Sequence, residues 1–234
     1  MKLGAVILSR YNSSRLPGKA LMEIGEKKVL EYIIERLLQV LSLDEIVIAT
    51  SNIDSDNPIA EFAEQKGISC FRGSLDHVAE RFYLAGKSKN WDYAVRINGD
   101  NIFVDTGILK DMIHIANTNQ YDLVSNVKGR TFPKGMSVEI VRLDYYASKL
   151  SKITQSDLYR EHVTLYLYDN DSSTHFYYIN EILPEASGLQ MALDTMEDLE
   201  RTKKIMSYFT QEHWNYNMKE IYKIWRHIEN ESNI

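Results

Sequence analysis

The chain has one cysteine, Cys70, in 234 residues. An internal disulfide is therefore excluded, and the apolar neighbours of Cys70 mark it as a small buried hydrophobe. No apolar run approaches the roughly 18 residues that a membrane span needs. The first run, Leu3 to Leu8, is cut short by Arg10, too early for a signal peptide. These absences point to a cytoplasmic protein with no membrane partner. A basic excess is missing too: the net charge is −6, which argues against a general nucleic-acid binder. Neither G-x-x-x-x-G-K-[ST] nor G-x-G-x-x-G occurs, so the common NTPase and dinucleotide loops are absent. There is no H-E-x-x-H, no C-x-x-C and no Ser–His–Asp order, which leaves zinc chemistry and nucleophilic hydrolysis without support.

One further absence is local and informative. No acidic residue precedes Glu23, while Ser9-Arg10-Tyr11-Asn12-Ser13-Ser14-Arg15-Leu16-Pro17-Gly18-Lys19 carries three cations and several small polar groups. The stretch before it, Leu3-Gly4-Ala5-Val6-Ile7-Leu8, is apolar throughout, as in a strand buried on both faces of a parallel sheet. A cationic loop leaving such a strand suits a polyphosphate.

The rest of the chain alternates strand and helix, which predicts an α/β, doubly wound, mostly parallel sheet. Helical spacing covers Val29 to Leu41, and Glu45 to Thr50 reads as a strand ending in Thr50-Ser51-Asn52. Asn57-Pro58 opens a helix to Lys66, with Asn57 as N-cap and Pro58 at the first helical position. Strands at Ile68 to Phe71, Tyr93 to Ile97 and Leu123 to Ser125 enclose helices at Asp76 to Lys87 and Thr106 to Asn117. Residues 129–185 form an excursion, a small β-rich arm or lid for substrate or dimer contacts. It holds a predicted strand at Met136 to Arg142, a helix at Leu158 to Tyr168 and a strand at His175 to Ile182. The chain returns through a strand, Met191 to Leu193, a helix capped by Thr195 and a last helix from Met218 to Ile228. Without a linker or an internal repeat, residues 1–234 read as a single domain.

Asp100 follows a buried strand in Asn98-Gly99-Asp100, and Asp194 follows Leu193. Each alone is ordinary: Gly-Asp is a turn signal, and Asp194-Thr195-x-x-Asp198 is a helix start. Together, at the carboxyl ends of two strands and beside a cationic loop, they suit Mg²⁺ next to a triphosphate. Lys134, Glu139 and Arg160 could line a polar pocket or face solvent, and His162 sits on the predicted helix. Asp54-Ser55-Asp56 keeps a glycosyltransferase with an Asp-x-Asp metal motif as an alternative. A non-catalytic nucleotide-binding protein is the other.

Several stretches, in order, resemble the sugar-activating cytidylyltransferases, which include the CMP-Kdo and CMP-sialate synthetases, and especially their spore-coat-polysaccharide (SpsF-like) branch. They are Ser13 to Lys19, Ile48 to Ser51, Phe71 to Arg81, Val95 to Asp100, Phe132 to Gly135 with Val138-Glu139, Arg160 to Thr164 and Leu193 to Thr195 with Glu197 to Leu199. The resemblance implies a Rossmann-like nucleotidyltransferase in which an acceptor oxygen attacks the α-phosphate of CTP and pyrophosphate leaves. It implies catalytic roles for Arg10, Lys19 and Asp100, and Mg²⁺ on Asp100 and Asp194. Ser9, Arg10, Ser14, Arg15, Lys19 and Asn98 would hold the nucleotide, with Thr50, Ser51, Arg72 and Ser74 near the cytidine. Arg81, Lys134, Glu139, Arg160 and His162 would face a sugar-acid acceptor, and a homodimer through the excursion is expected.

Overall fold

The computed structural model describes residues 1–13 and 15–232; the nucleotide-binding expectation for Ser14 lies outside the described residues. In chain order it contains β1 (Leu3–Leu8), a hairpin of β2 (Glu23–Ile24) and β3 (Lys27–Lys28), α1 (Val29–Leu37), β4 (Ile46–Ser51) and α2 (Asn57–Gln65). There follow β5 (Ser69–Gly73), α3 (Val78–Ser88), β6 (Tyr93–Asn98), α4 (Thr106–Asn117), β7 (Leu123–Ser125), β8 (Glu139–Arg142) and α5 (Leu143–Ile153). The last part is α6 (Asp157–Glu161), α7 (Leu165–Asp169), β9 (His175–Tyr177), α8 (Met196–Ser207) and α9 (Met218–Ser232).

Seven strands form one sheet in the order β5-β4-β1-β6-β8-β7-β9. All neighbours pair in parallel except β8, which runs against both β6 and β7. Successive side chains of a strand face opposite ways, so an apolar run such as β1 needs cover on both faces, and it has it. Ala5 and Ile7 pack with Ile46 and Ile48 of β4 under α1, α2, α4, α8 and α9. Val6 and Leu8 pack with Val47 and Ala49 under α3 and α5. The doubly wound, mostly parallel sheet read from the sequence is what the chain forms.

The differences are concentrated after residue 129. Strands β8 and β9 of the excursion belong to the main sheet, and the small separate sheet is the β2–β3 hairpin. Helix α5, unread in the sequence, supplies Leu143, Tyr146 and Ile153 to the second face. The single helix expected from Leu158 to Tyr168 is broken into α6 and α7 at His162-Val163-Thr164. The strand expected from His175 to Ile182 stops at Tyr177. Met191 to Leu193 is no strand. It is an irregular segment fixed by a bridge between Lys134 and Gln190 and by the Leu193 amide donating to the Asp100 carbonyl (3.2 Å). Among the described residues, no helix is long and apolar enough to cross a membrane.

Candidate active site

The loop after β1 is pinned before it is charged. The Tyr11 amide donates to Asp56 (2.7 Å), and the Tyr11 carbonyl accepts from Ser13 (2.9 Å) and Gly18 (2.7 Å). Asp56 is buried and also accepts from the Thr50 hydroxyl (2.9 Å) and from both the amide (2.9 Å) and the hydroxyl (2.5 Å) of Ser51. Although burial opposes its charge, these donors hold its carboxyl below the usual carboxylate range. Two expectations are corrected here. Asp56 is an anchor for the loop, not the metal-binding end of an Asp-x-Asp motif. Thr50 and Ser51 are fully buried with their hydroxyls spent on Asp56, so they do not face a nucleotide.

So anchored, the loop lines a cleft of about 310 Å³ with the end of β6, the turn after α6 and the 190–194 segment. Gly99 permits the close approach of the two strand ends: a Cβ there would stand 2.8 Å from Ser9 Oγ and 3.1 Å from the Leu8 carbonyl. Lys19 Nζ lies between the carboxylates of Asp100 (2.7 Å) and Asp194 (3.2 Å). Arg15 also pairs with Asp194 (3.0 Å), and Arg10 pairs with Glu161 (3.2 Å). Burial works against the Asp194 charge, but Lys19, Arg15 and the Gln190 amide pull its carboxyl below its ordinary value. The cleft lining holds five cations (Arg10, Arg15, Lys19, Arg81, Arg96) against three carboxylates (Asp100, Glu161, Asp194). In a chain of net charge −6, that surplus is a built anion site.

Among the described residues no group of three or more His, Cys, Asp or Glu could cage a metal. Two carboxylates converging on one point still fit Mg²⁺, which takes one or two protein carboxylates and completes its shell with phosphate oxygens and water.

Ser9, Arg10, Arg15, Lys19, Arg81, Asn98, Asp100, His162 and Asp194 are thus brought together. Arg81, almost wholly buried, donates to the Ser74 carbonyl (2.6 Å) and keeps its Nε without a partner. Other expected residues lie elsewhere. Arg72 is spent on the Ser51 and Ile53 carbonyls (3.0 and 2.9 Å), and the Ser74 hydroxyl accepts from the His77 amide (3.3 Å). The Lys134 side chain is exposed, and its backbone does the work of holding Gln190. Arg160 pairs with Asp157 of its own short helix, away from the cleft.

A second cavity, about 420 Å³, shares Arg96, Asn98 and His162 with the first and adds Arg130, Ser137, Glu139, Thr164 and Tyr168. Arg96 and Glu161 were missed in the sequence. Arg96 carried a signal nonetheless: a lone cation inside a strand buried on both faces.

The Cytidylyltransferase family model matches residues 5–231. The chain belongs to the cytidylyltransferase family. This cytidylyltransferase is 30% identical to the spore coat polysaccharide biosynthesis protein SpsF of Bacillus subtilis, over 86% of this chain and 84% of that protein. It superposes on a cytidylyltransferase from Leptospira borgpetersenii with a TM-score of 0.87 and 30% identity, covering 98% and 96% of the two chains. The solved CMP:2-keto-3-deoxy-manno-octonic acid synthetase complexed with CTP shares the fold (TM-score 0.66, 19% identity, 88% and 99% covered). The resemblance read in the sequence is correct, and the chain is a CTP-dependent nucleotidyltransferase.

Proposed function

We propose that this cytidylyltransferase transfers CMP from CTP to an acidic sugar, releasing pyrophosphate, in the synthesis of a surface polysaccharide. The observation that carries the reading is the pair of adjoining cavities: a cation-rich cleft on the phosphate side and a second polar cavity reached past Arg96, Asn98 and His162. CTP would occupy the first, with Lys19, Arg10 and Arg15 against its phosphates. The acceptor would occupy the second with a hydroxyl turned toward the α-phosphorus. The new P–O bond forms from that oxygen as the bond to pyrophosphate breaks, and the hydroxyl's proton leaves to water. Such a transfer is mainly positioning and charge stabilisation, so no protein nucleophile is needed. Asp100 and Asp194 would hold Mg²⁺, which supplies charge neutralisation on the triphosphate when bound. SpsF, by its name a protein of spore coat polysaccharide biosynthesis, supports the pathway class.

The test is thermal stabilisation by CTP, UTP, ATP and GTP with Mg²⁺, on the wild type and on Asp100→Ala. CTP at a hundred times its Kd stabilises by about 2.7 kcal/mol, and the other nucleotides leave the transition unmoved. Asp100→Ala loses the Mg²⁺-dependent part of the shift. Equal shifts with all four nucleotides, or none, would sink the reading.

A further inference from the structure

The wall between the two cavities holds a buried ion pair whose elaborate support calls for a reason. Arg96 on β6 and Glu139 on β8 are register partners in the antiparallel ladder, and Arg96 Nη1 donates to Glu139 Oε2. The other oxygen, Oε1, accepts from Thr164 Oγ1 (2.6 Å) and from the Tyr168 hydroxyl. Tyr168 in turn lies 2.6 Å from Ser125 Oγ, which accepts from the Val127 amide (3.0 Å). Both carboxylate oxygens of Glu139 are therefore occupied, and its side chain is 2% exposed. With three donors on it and almost no exposed surface, it serves in this structure as the support of Arg96, where the sequence led to the expectation of a substrate ligand.

A buried pair of this kind is a poor source of stability, because desolvation consumes most of its attraction. What the network does achieve is to fix one guanidinium. Arg96 borders both cavities while its Nε is buried without a partner. The second cavity adds Arg130 and has no acid besides the neutralised Glu139, so its surplus charge is positive.

Resting on the function proposed above, we infer that Arg96 receives the carboxylate of the acceptor and selects acidic over neutral sugars, with Glu139, Thr164 and Tyr168 as positioning residues. An arginine fork matches a carboxylate in two parallel hydrogen bonds. In a 2-ulosonic acid the carboxylate and the anomeric hydroxyl sit on the same carbon. A carboxylate held at the shared wall therefore delivers that hydroxyl to the edge of the phosphate cleft.

The test compares 3-deoxy-manno-octulosonate and N-acetylneuraminate with their methyl esters, by calorimetry with and without CTP and by pyrophosphate release. CTP-induced thermal shift is measured in parallel. The wild type binds at least one acid tenfold or more tightly than its ester. The double variant Arg96→Gln/Glu139→Gln, which removes the pair without stranding a buried charge, loses that preference and still unfolds cooperatively in urea. Arg96→Lys keeps a weakened preference. Glu139→Gln raises KM for the acid about tenfold and changes kcat less than threefold. Equal treatment of acid and ester by the wild type, whether both bind or neither, overturns the inference, as does an undiminished preference in the double variant. Acid preference without a CTP shift would leave Arg96 its role and overturn the nucleotide reading instead.

Discussion

The two cavities share a wall, and the outer arginines of the β1 loop are held in the opposite way from the arginine of that wall. In the phosphate cleft, Arg15 and Arg10 are 63% and 39% exposed and each makes a single ion pair. Pairs so open to water are worth about 0–1 kcal/mol and can be exchanged for phosphate oxygens at little cost. At the wall, Arg96 is 17% exposed and its partner 2%, the partner held by the hydroxyls of Thr164, in the turn before α7, and of Tyr168 in α7. Burial resists the Glu139 charge, yet Arg96, Thr164 and Tyr168 keep its carboxyl below the ordinary range. The outer loop arginines are free to exchange partners, whereas Lys19, between two carboxylates, and Arg96, on Glu139, are fixed by what surrounds them.

The largest expected effect comes from Lys19, the least exposed of the loop's cations. Lys19→Met should lower kcat/KM for pyrophosphate release by about 10²–10³-fold, in the range of a lost transition-state charge contact, while urea denaturation changes little. A loss below tenfold would break the comparison, because the cleft would then tolerate removal of its central charge. Next comes Gly135, which joins the two regions. At φ +92° its added Cβ would lie 2.5 Å from the Ala192 amide nitrogen, so Gly135→Ala should cost about 3 kcal/mol in urea denaturation. It should also abolish the CTP shift, because the displaced segment carries Asp194. A variant of normal stability and CTP response would show that segment to be compliant.

The smallest effect lies outside both cavities and separates acid sensitivity of the fold from that of the sites. His213 Nε2 donates to the Glu35 carboxylate (2.7 Å) beneath α1, and burial, reinforced by the nearby Arg36 charge, pushes its pKa down to about 4. Above pH 6.5 the folded and unfolded chains are alike at this group. As pH falls from about 6.5 to about 4, the unfolded chain takes up a proton that the folded one refuses, and stability drops by about 2 kcal/mol. Chemical denaturation across that range should show the decline in wild type and a flatter profile in His213→Gln. An identical slope in both would assign the acid loss elsewhere.

The fold was legible where burial is two-sided and the period unambiguous: β1, β4, β6 and the helices packed on them. The segment 129–185 was harder because β8 and β9 are short and α6 and α7 have five residues each, so neither period has room to declare itself; α5, with eleven residues, was simply passed over. At the site, the charge pattern of the β1 loop and the Gly99-Asp100 turn were sufficient. Asp194 stands beside Asp100 across Lys19, on an irregular segment held by the Lys134–Gln190 bridge and the Leu193 amide rather than on the expected strand. The hydroxyls of Thr50 and Ser51 misled because a sequence does not say which carboxylate, ligand or Asp56, will claim them. Arg96 and Glu139 are opposite charges inside adjacent buried strands, and only the register makes them partners.

Lys19, Asp100 and Asp194 come from the first, middle and last parts of the chain, and the last two are stitched by the Leu193 amide on the Asp100 carbonyl. During synthesis the phosphate loop emerges early with its cations bare, and their second carboxylate follows only after the whole 129–185 excursion has been laid down. A chain cut short before residue 194 therefore carries the loop's cations without the carboxylate that Lys19 and Arg15 share in the folded molecule.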